Sequence, residues 1–384
     1  MILLVSVSAR MLAELAVREG HDVVALDRFG DLDLQALCPS VSILRDLGGR
    51  GGMAELAEAA ERVPAERVVY GAGLENRPDL VARLAVGRTL LGCAPETLGP
   101  VRDPARLGAS LGGAGFAYPR TFPAAEAARA DRTRRWLRKP VRGGGGRGVR
   151  EWRGGRLTDE LVVQERISGL ACSGAAVADG RSAALLGVSE QLIGRRALGA
   201  GGYSWCGNLV PPRLPVGERH ALIDDLRAIC AHLAAAFGLR GLFGVDVVWD
   251  GVRAWVVEVN PRPTASLETI DAAYGVRSFA AHLEACAGRL PPAGTMPAIV
   301  DPSVAAGKAV LRATEPLRIP DTRDWAARGI RDVPHPGEQI AAGHAVCTLV
   351  ATGCTPEAVA ADLEARAAGL RAELHDGVAV DALA

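Results

Sequence analysis

The sequence predicts a multidomain chain in which a parallel α/β sheet is followed by α+β parts, on three observations. Short apolar runs alternate with helically spaced segments over the first hundred residues. Beyond them the pattern changes to longer strands, two of which frame the hairpin turn signal Asp250-Gly251. The 384 residues, 49% of them apolar and 23% charged, suffice for two to four packed cores.

Residues 2–7 (ILLVSV) read as a strand, residues 9–19 as a helix and residues 22–26 (DVVAL) as the next strand, which makes a βαβ unit. A helix over 53–62 and a strand over 67–71 continue the alternation, so residues 1–100 form one parallel α/β domain. A dinucleotide site at the first turn is excluded, because SVSAR has no glycine to let backbone approach a pyrophosphate. From 101 to 170 the signals give a helix near 104–114 and strands near 135–139, 147–152 and 161–165. From 171 to 300, strands alternate with a helix over 217–237. Residues 301–384 hold the strands AVLRA (309–313) and AVCTLVA (345–351), the loop DVPHPGEQI (332–340) with His335, and a closing helix over 356–374.

Acidic and basic residues balance at 44 each, so no overall basic field draws in nucleic acid. The opening MILLVSVSAR is too short to span a bilayer and lacks the flanks of a signal peptide. The expectation is a cytoplasmic protein with neither a membrane nor a nucleic-acid partner. The eight cysteines include no C-x-x-C pair and are expected as buried free thiols. Arginine supplies nearly all the positive charge. The two lysines, Lys139 and Lys308, therefore invite explanation.

Lys139 ends a strand and precedes Gly143, Gly144, Gly145 and Gly146, then Arg147-Gly148. Glycines lose more freedom on folding than other residues, so such a run suits a place where backbone must bend or approach a ligand, and consecutive N–H groups suit phosphate oxygens. The lysine precedes the glycines, which excludes a P-loop. Further on, GVDVVWDGVRAWVVEVNPRPTASLE carries Asp246 on one strand and Glu258 and Asn260 on the next. Strand alternation and the Asp250-Gly251 turn can bring these three oxygen donors together, and Mg²⁺ is commonly held by one or two carboxylates plus phosphates. Lys308, before the strand AVLRA, reads as a solvated strand-end charge.

The ordered set Lys139-Pro140, Gly143–Gly148, VVQERISG (162–169), Asp246 and Glu258-Val-Asn260-Pro-Arg262 resembles the ATP-grasp superfamily over most of the chain. The resemblance implies a pre-ATP-grasp α/β domain (1–100), an ATP-grasp small subdomain with the glycine lid (101–170), a large subdomain with the metal ligands (171–300) and a small C-terminal domain (301–384). It implies ATP as substrate, with Lys139 and Gly143 to Gly146 on its phosphates and Gln164, Glu165 and Ile167 at the adenine hinge. Asp246, Glu258 and Asn260 would bind Mg²⁺, or alternatively Mn²⁺, and Arg262 would lie near the transferred phosphate. Lys139 and Arg262 are the catalytic candidates.

Three positions depart from the family pattern. The second lysine of many members is absent, leaving Arg106 or Arg102 to substitute. Cys172 stands at a position that is often polar. Ser266 stands where biotin carboxylases place a glutamate base, with Glu268 two residues later. The implied reaction is therefore ATP-dependent ligation of a carboxylate to an amine through an acyl phosphate, possible in cofactor biosynthesis. A bicarbonate-using carboxylase and a nucleotide-binding protein without ligase activity are the alternatives. Small-molecule acid and amine substrates are implied, with a homodimer by analogy. Substrate contacts are sought in 189–212, at Glu190, Gln191, Arg195, Arg196, Tyr203 and Asn208, a stretch that also reads as a surface loop.

Overall fold

The computed structural model describes residues 1–131, 133–292 and 302–381. Its front sheet is wholly parallel, with strands in the order 40–42, 23–27, 2–5, 67–70 and 89–91. Every residue of Ile2–Val5 and Val23–Asp27 is buried, as expected for central parallel strands covered on both faces. Three of these segments, 2–5, 23–27 and 67–70, are strands where the sequence predicts them. The short strands Ser40–Ser42 and Thr89–Leu91 are not expected from the sequence, because they are too brief to carry a periodic signal.

The chain order reverses between the first strand and the strand Arg67–Tyr70, which makes a crevice at their C-terminal ends. The loops that follow the two strands touch there, with the Val7 amide donating to the Ala72 carbonyl at 3.2 Å.

A four-stranded antiparallel sheet follows, in the order 121–123, 161–165, 136–140 and 150–152. The glycine run joins its last two strands. The third sheet has eight antiparallel strands, in the order 254–260, 240–249, 170–179, 183–193, 205–210, 305–312, 345–353 and 330–331. Strands from beyond residue 301 thus extend the sheet that carries Asp246 and Glu258. The domain boundary expected at residue 300 lies outside the described residues.

Two findings correct the sequence reading here. Residues 189–212 are not a surface loop, since their ends form the strands Ala183–Ile193 and Trp205–Val210 in the middle of that sheet. Glu190 and Asn208 are buried, the first paired with Arg213 and the second bonded to Ser189 at 2.9 Å. Lys308 is not a solvated end charge either. It is 3% exposed, because its strand Ala305–Arg312 is covered on both faces. A Cβ on Gly307 would meet Val359 and Leu363 of the closing helix, so by alternation Lys308 points the other way, toward the helix Leu267–Tyr274.

The cysteines are all unpaired and five are fully buried. Among the described residues no helix is long and apolar enough to cross a membrane.

The helix Ser278–Cys286 seats His282, fully buried, where its Nδ1 accepts the Leu242 amide at 2.8 Å. Burial disfavours the imidazolium and pushes its pKa from 6.5 down to about 4. The unfolded chain therefore takes up this proton first as pH falls. The stabilisation is complete above pH 6.5 and is lost progressively toward pH 4. Urea unfolding across that window should show a shallower fall in His282→Asn than in the parent protein.

Candidate active site

The hairpin Arg240–Trp249 and Ala254–Asn260 turns at Asp250-Gly251, where Gly251 adopts φ +96°. Its register sets Asp246 directly opposite Glu258, with Asn260 two residues on, opposite Gly244. The three side chains meet. Asn260 Nδ2 donates to Asp246 at 3.0 Å, and Gln191 Nε2 from the neighbouring strand donates to the other carboxylate oxygen at 2.9 Å. Asn260 thus presents its amide nitrogen, and use of its oxygen toward the carboxylates requires the amide to turn over.

Cations converge on the Glu258 side of this pair. Lys139 Nζ donates to the Val257 carbonyl at 2.7 Å and lies 3.7 Å from Glu258. Arg102 forms an ion pair with Glu258 and also donates to the Val259 carbonyl at 3.1 Å, to Asn76 at 3.0 Å and to the Gly143 carbonyl at 2.8 Å. One guanidinium therefore ties the carboxylate, the front domain and the base of the glycine loop together. Of the two arginines that could replace the absent lysine, Arg102 is the one that reaches Glu258.

Burial alone would raise both carboxyls. At Glu258 it is outweighed by Lys139 and Arg102, which hold the group below its ordinary value. At Asp246 burial prevails, reinforced by the Glu258 charge, and its pKa is pushed up to about 6. Arg262 Nε pairs with buried Glu75 at 2.9 Å, and its Nη2 donates to Asn260 at 3.3 Å.

The glycine loop is docked. The Trp205 amide donates to the Gly145 carbonyl at 3.0 Å. Gly146 has φ +73°, and a Cβ there would stand 1.8 Å from the Tyr203 carbonyl oxygen. Arg102, Tyr118, Lys139, Gln164, Val257 and Glu258 line a cavity of about 30 Å³ beside the strand that carries Lys139. Gln164 faces this cavity and donates to Thr121 Oγ1 at 3.1 Å. Glu165 does not line it and pairs with Arg134 instead. Ile167 is half-buried in the loop beyond.

A second ionic cluster lies close by in sequence. Glu268 is gripped by Arg10 from the first helix of the front sheet and by Lys308 at 2.6 Å. Arg10 is fully buried and also reaches Asp332 at 3.0 Å and Glu14 at 2.7 Å. Burial raises the Glu268 carboxyl, but Arg10 and Lys308 outweigh it and hold the group far below its ordinary value. Ser266 is buried beside it, its hydroxyl 2.9 Å from that of Thr264. The sequence reading missed Arg10, Glu75 and the partner of Lys308. The rarity of lysine in this chain was the one available signal.

The two-layered arrangement, a hairpin with paired carboxylates under a glycine loop carried by a second sheet, defines a class. Residues 102–266 match the family model of the ATP-grasp domain, and the chain carries such a domain over that range. Solved structures with the same fold include biotin carboxylase from Campylobacter jejuni (TM-score 0.71, 15% identity, 94% of this chain and 89% of that one). Another is the biotin carboxylase domain dimer of Hydrogenobacter thermophilus 2-oxoglutarate carboxylase, described with MgADP, ADP and bicarbonate (TM-score 0.69, 15% identity, 92% of this chain and 86% of that one). A third is the L-amino acid ligase from Bacillus licheniformis (TM-score 0.65, 13% identity, 98% of this chain and 97% of that one). Comparison with curated protein sequences finds no match.

Two outcomes are expected from this geometry. Lys308→Met leaves Glu268 with one of its two cations and should cost about 3 kcal/mol in urea unfolding. Gly146→Ala cannot keep the loop docked, so trypsin should cut at Arg142 or Arg147 markedly faster than in the parent protein, at an unchanged global unfolding midpoint.

Proposed function

We propose that the chain is an ATP-dependent carboxylate–amine ligase. The observation that carries the ATP site is the meeting of Lys139, Arg102 and Arg262 around the Asp246–Glu258 pair beneath a docked glycine loop. The apolar side of the small cavity, with Val101, Leu107, Val162 and Val259 beside Tyr118 and Gln164, suits an adenine ring.

The donor set fits a hard divalent cation. Among the described residues no group of three His, Cys, Asp or Glu side chains is placed to hold a metal ion. Two carboxylates and an amide meet, which is the pattern expected of Mg²⁺ or Mn²⁺ shared with substrate phosphates. Asp246, Glu258 and Asn260 would hold the cation, which when bound would neutralise charge on the phosphates. Lys139 and the loop amides would hold the terminal phosphates. Arg262, braced by Glu75, would place its planar donor fork where charge develops as the substrate carboxylate takes the γ-phosphoryl group. The amine then displaces phosphate from the acyl phosphate, leaving an amide, ADP and phosphate.

Ligation is favoured over bicarbonate chemistry by the state of Glu268. Glu268, two residues beyond Ser266, is locked between Arg10 and Lys308 and held strongly acidic, which unsuits it as a base. A homodimer in the cytoplasm is proposed by analogy with the dimeric relative.

Coupled ADP release with Mg²⁺-ATP against amino acids, amines and bicarbonate tests the reading. Turnover should require one acid and one amine together and fall at least about 100-fold in Glu258→Gln. Turnover supported by bicarbonate alone would overturn it.

A further inference from the structure

Away from the site just described, a cavity of about 230 Å³ opens between the end of the strand Ala305–Arg312 and the closing helix. Its floor is apolar, made by Leu317, Val346 and Leu374, and Arg312, Arg371 and His375 stand around it. The register shift between Leu311 and Arg312 is what lets consecutive residues of one strand line the same cavity.

The charge of this pocket is unbalanced. Arg312 Nη1 and Nη2 donate to the Gly343 and Trp205 carbonyls, both at 3.2 Å, while its Nε is buried with no hydrogen-bond partner. Arg371 donates to the Ala197 carbonyl at 3.1 Å. Unlike Arg102 and Arg262, neither forms an ion pair with a carboxylate among the described residues. Burial pulls the Arg312 pKa down; the Cys206 thiol opposes that shift and the nearby Arg147 cation adds to it. Glu315, the one acid in the lining, lies 3.0 Å from His375. Two guanidiniums against one carboxylate leave a surplus positive charge over an apolar floor. A partly buried cation without a counter-charge is costly, and a ligand carboxylate would relieve that cost through charge-assisted hydrogen bonds.

We propose that this pocket binds a small amphipathic monoanion, a carboxylate with a short apolar chain, its head on Arg312 and Arg371 and its tail on Leu317, Val346 and Leu374. The site is separate from the proposed nucleotide cleft but is tied to it. Trp205, whose carbonyl Arg312 holds, donates its amide to the glycine loop.

The test is methyl NMR of the full chain, labelled at leucine and valine, titrated with hexanoate and, separately, with hexylammonium and with sulfate. Hexanoate should shift the Leu317, Val346 and Leu374 methyls saturably at roughly millimolar concentration. Its affinity should fall at least about tenfold in Arg371→Gln, a variant on the half-exposed face of a long helix, and in Arg312→Gln. Three results would each overturn the proposal: equal shifts with hexylammonium, equal affinity for sulfate, or undiminished hexanoate affinity in Arg371→Gln. Absence of saturable shifts in the parent protein would do so without any variant.

Discussion

Glu268 is the point at which three separate stretches of chain are joined. Arg10 reaches it from the first helix of the parallel sheet and Lys308 from a strand some forty residues downstream, while Glu268 itself sits one turn beyond the Asn260-Pro-Arg262 segment. Burying such charges is expensive, and their attraction repays the desolvation only when every partner is in place. The cluster therefore fixes one arrangement of the front sheet, the central hairpin and the last strands. Loosening it would let the segment that carries Arg262 move relative to the loops beneath it.

The same segment is fastened a second time. Glu75 follows the strand on the other side of the chain reversal and holds Arg262, while Tyr70 donates its hydroxyl to the Pro261 carbonyl at 2.9 Å. The loops that lead to Arg10 and to Glu75 touch each other through Val7 and Ala72. Residues 260–268 are thus pinned at both ends across the crevice where ligands of open α/β sheets bind. The parallel sheet contributes little chemistry of its own to the cleft. Its contribution is two rigid anchors, set by strands buried on both faces.

Much of this was legible in the sequence because the relevant rules are local. The turn Asp250-Gly251 sets the register of its hairpin, and alternation then dictates that Asp246, Glu258 and Asn260 meet. A glycine run after a strand similarly announces close backbone approach, which Gly146 and the Tyr203 carbonyl realise. Lys308 was misread because its own strand, rich in alanine and glycine, carries no alternation to say which face is covered. Its cover comes from helices at 267–274 and 356–381, whose placement no local pattern encodes. The direction of the Glu165 side chain is likewise set by a partner that no local pattern names. On a strand at the start of a loop its side chain can turn either way, and the exposed Arg134 takes it away from the cleft that Gln164 faces.

The charges around the hairpin explain why a metal and a polyphosphate would enter together on the proposed reading. Lys139 and Arg102 already serve Glu258, and Arg262 already serves Glu75. Asp246 is left with amide donors from Gln191 and Asn260, and its carboxyl is displaced upward by burial and by the neighbouring charge. A divalent cation alone would suit Asp246 but overcharge a cleft that holds three cations. A polyphosphate alone would bring anionic oxygens against two carboxylates. Only the two in combination satisfy Asp246 and engage the donors of Lys139, Arg102 and Arg262 at once, and the docked glycine loop then excludes the water that would screen those interactions.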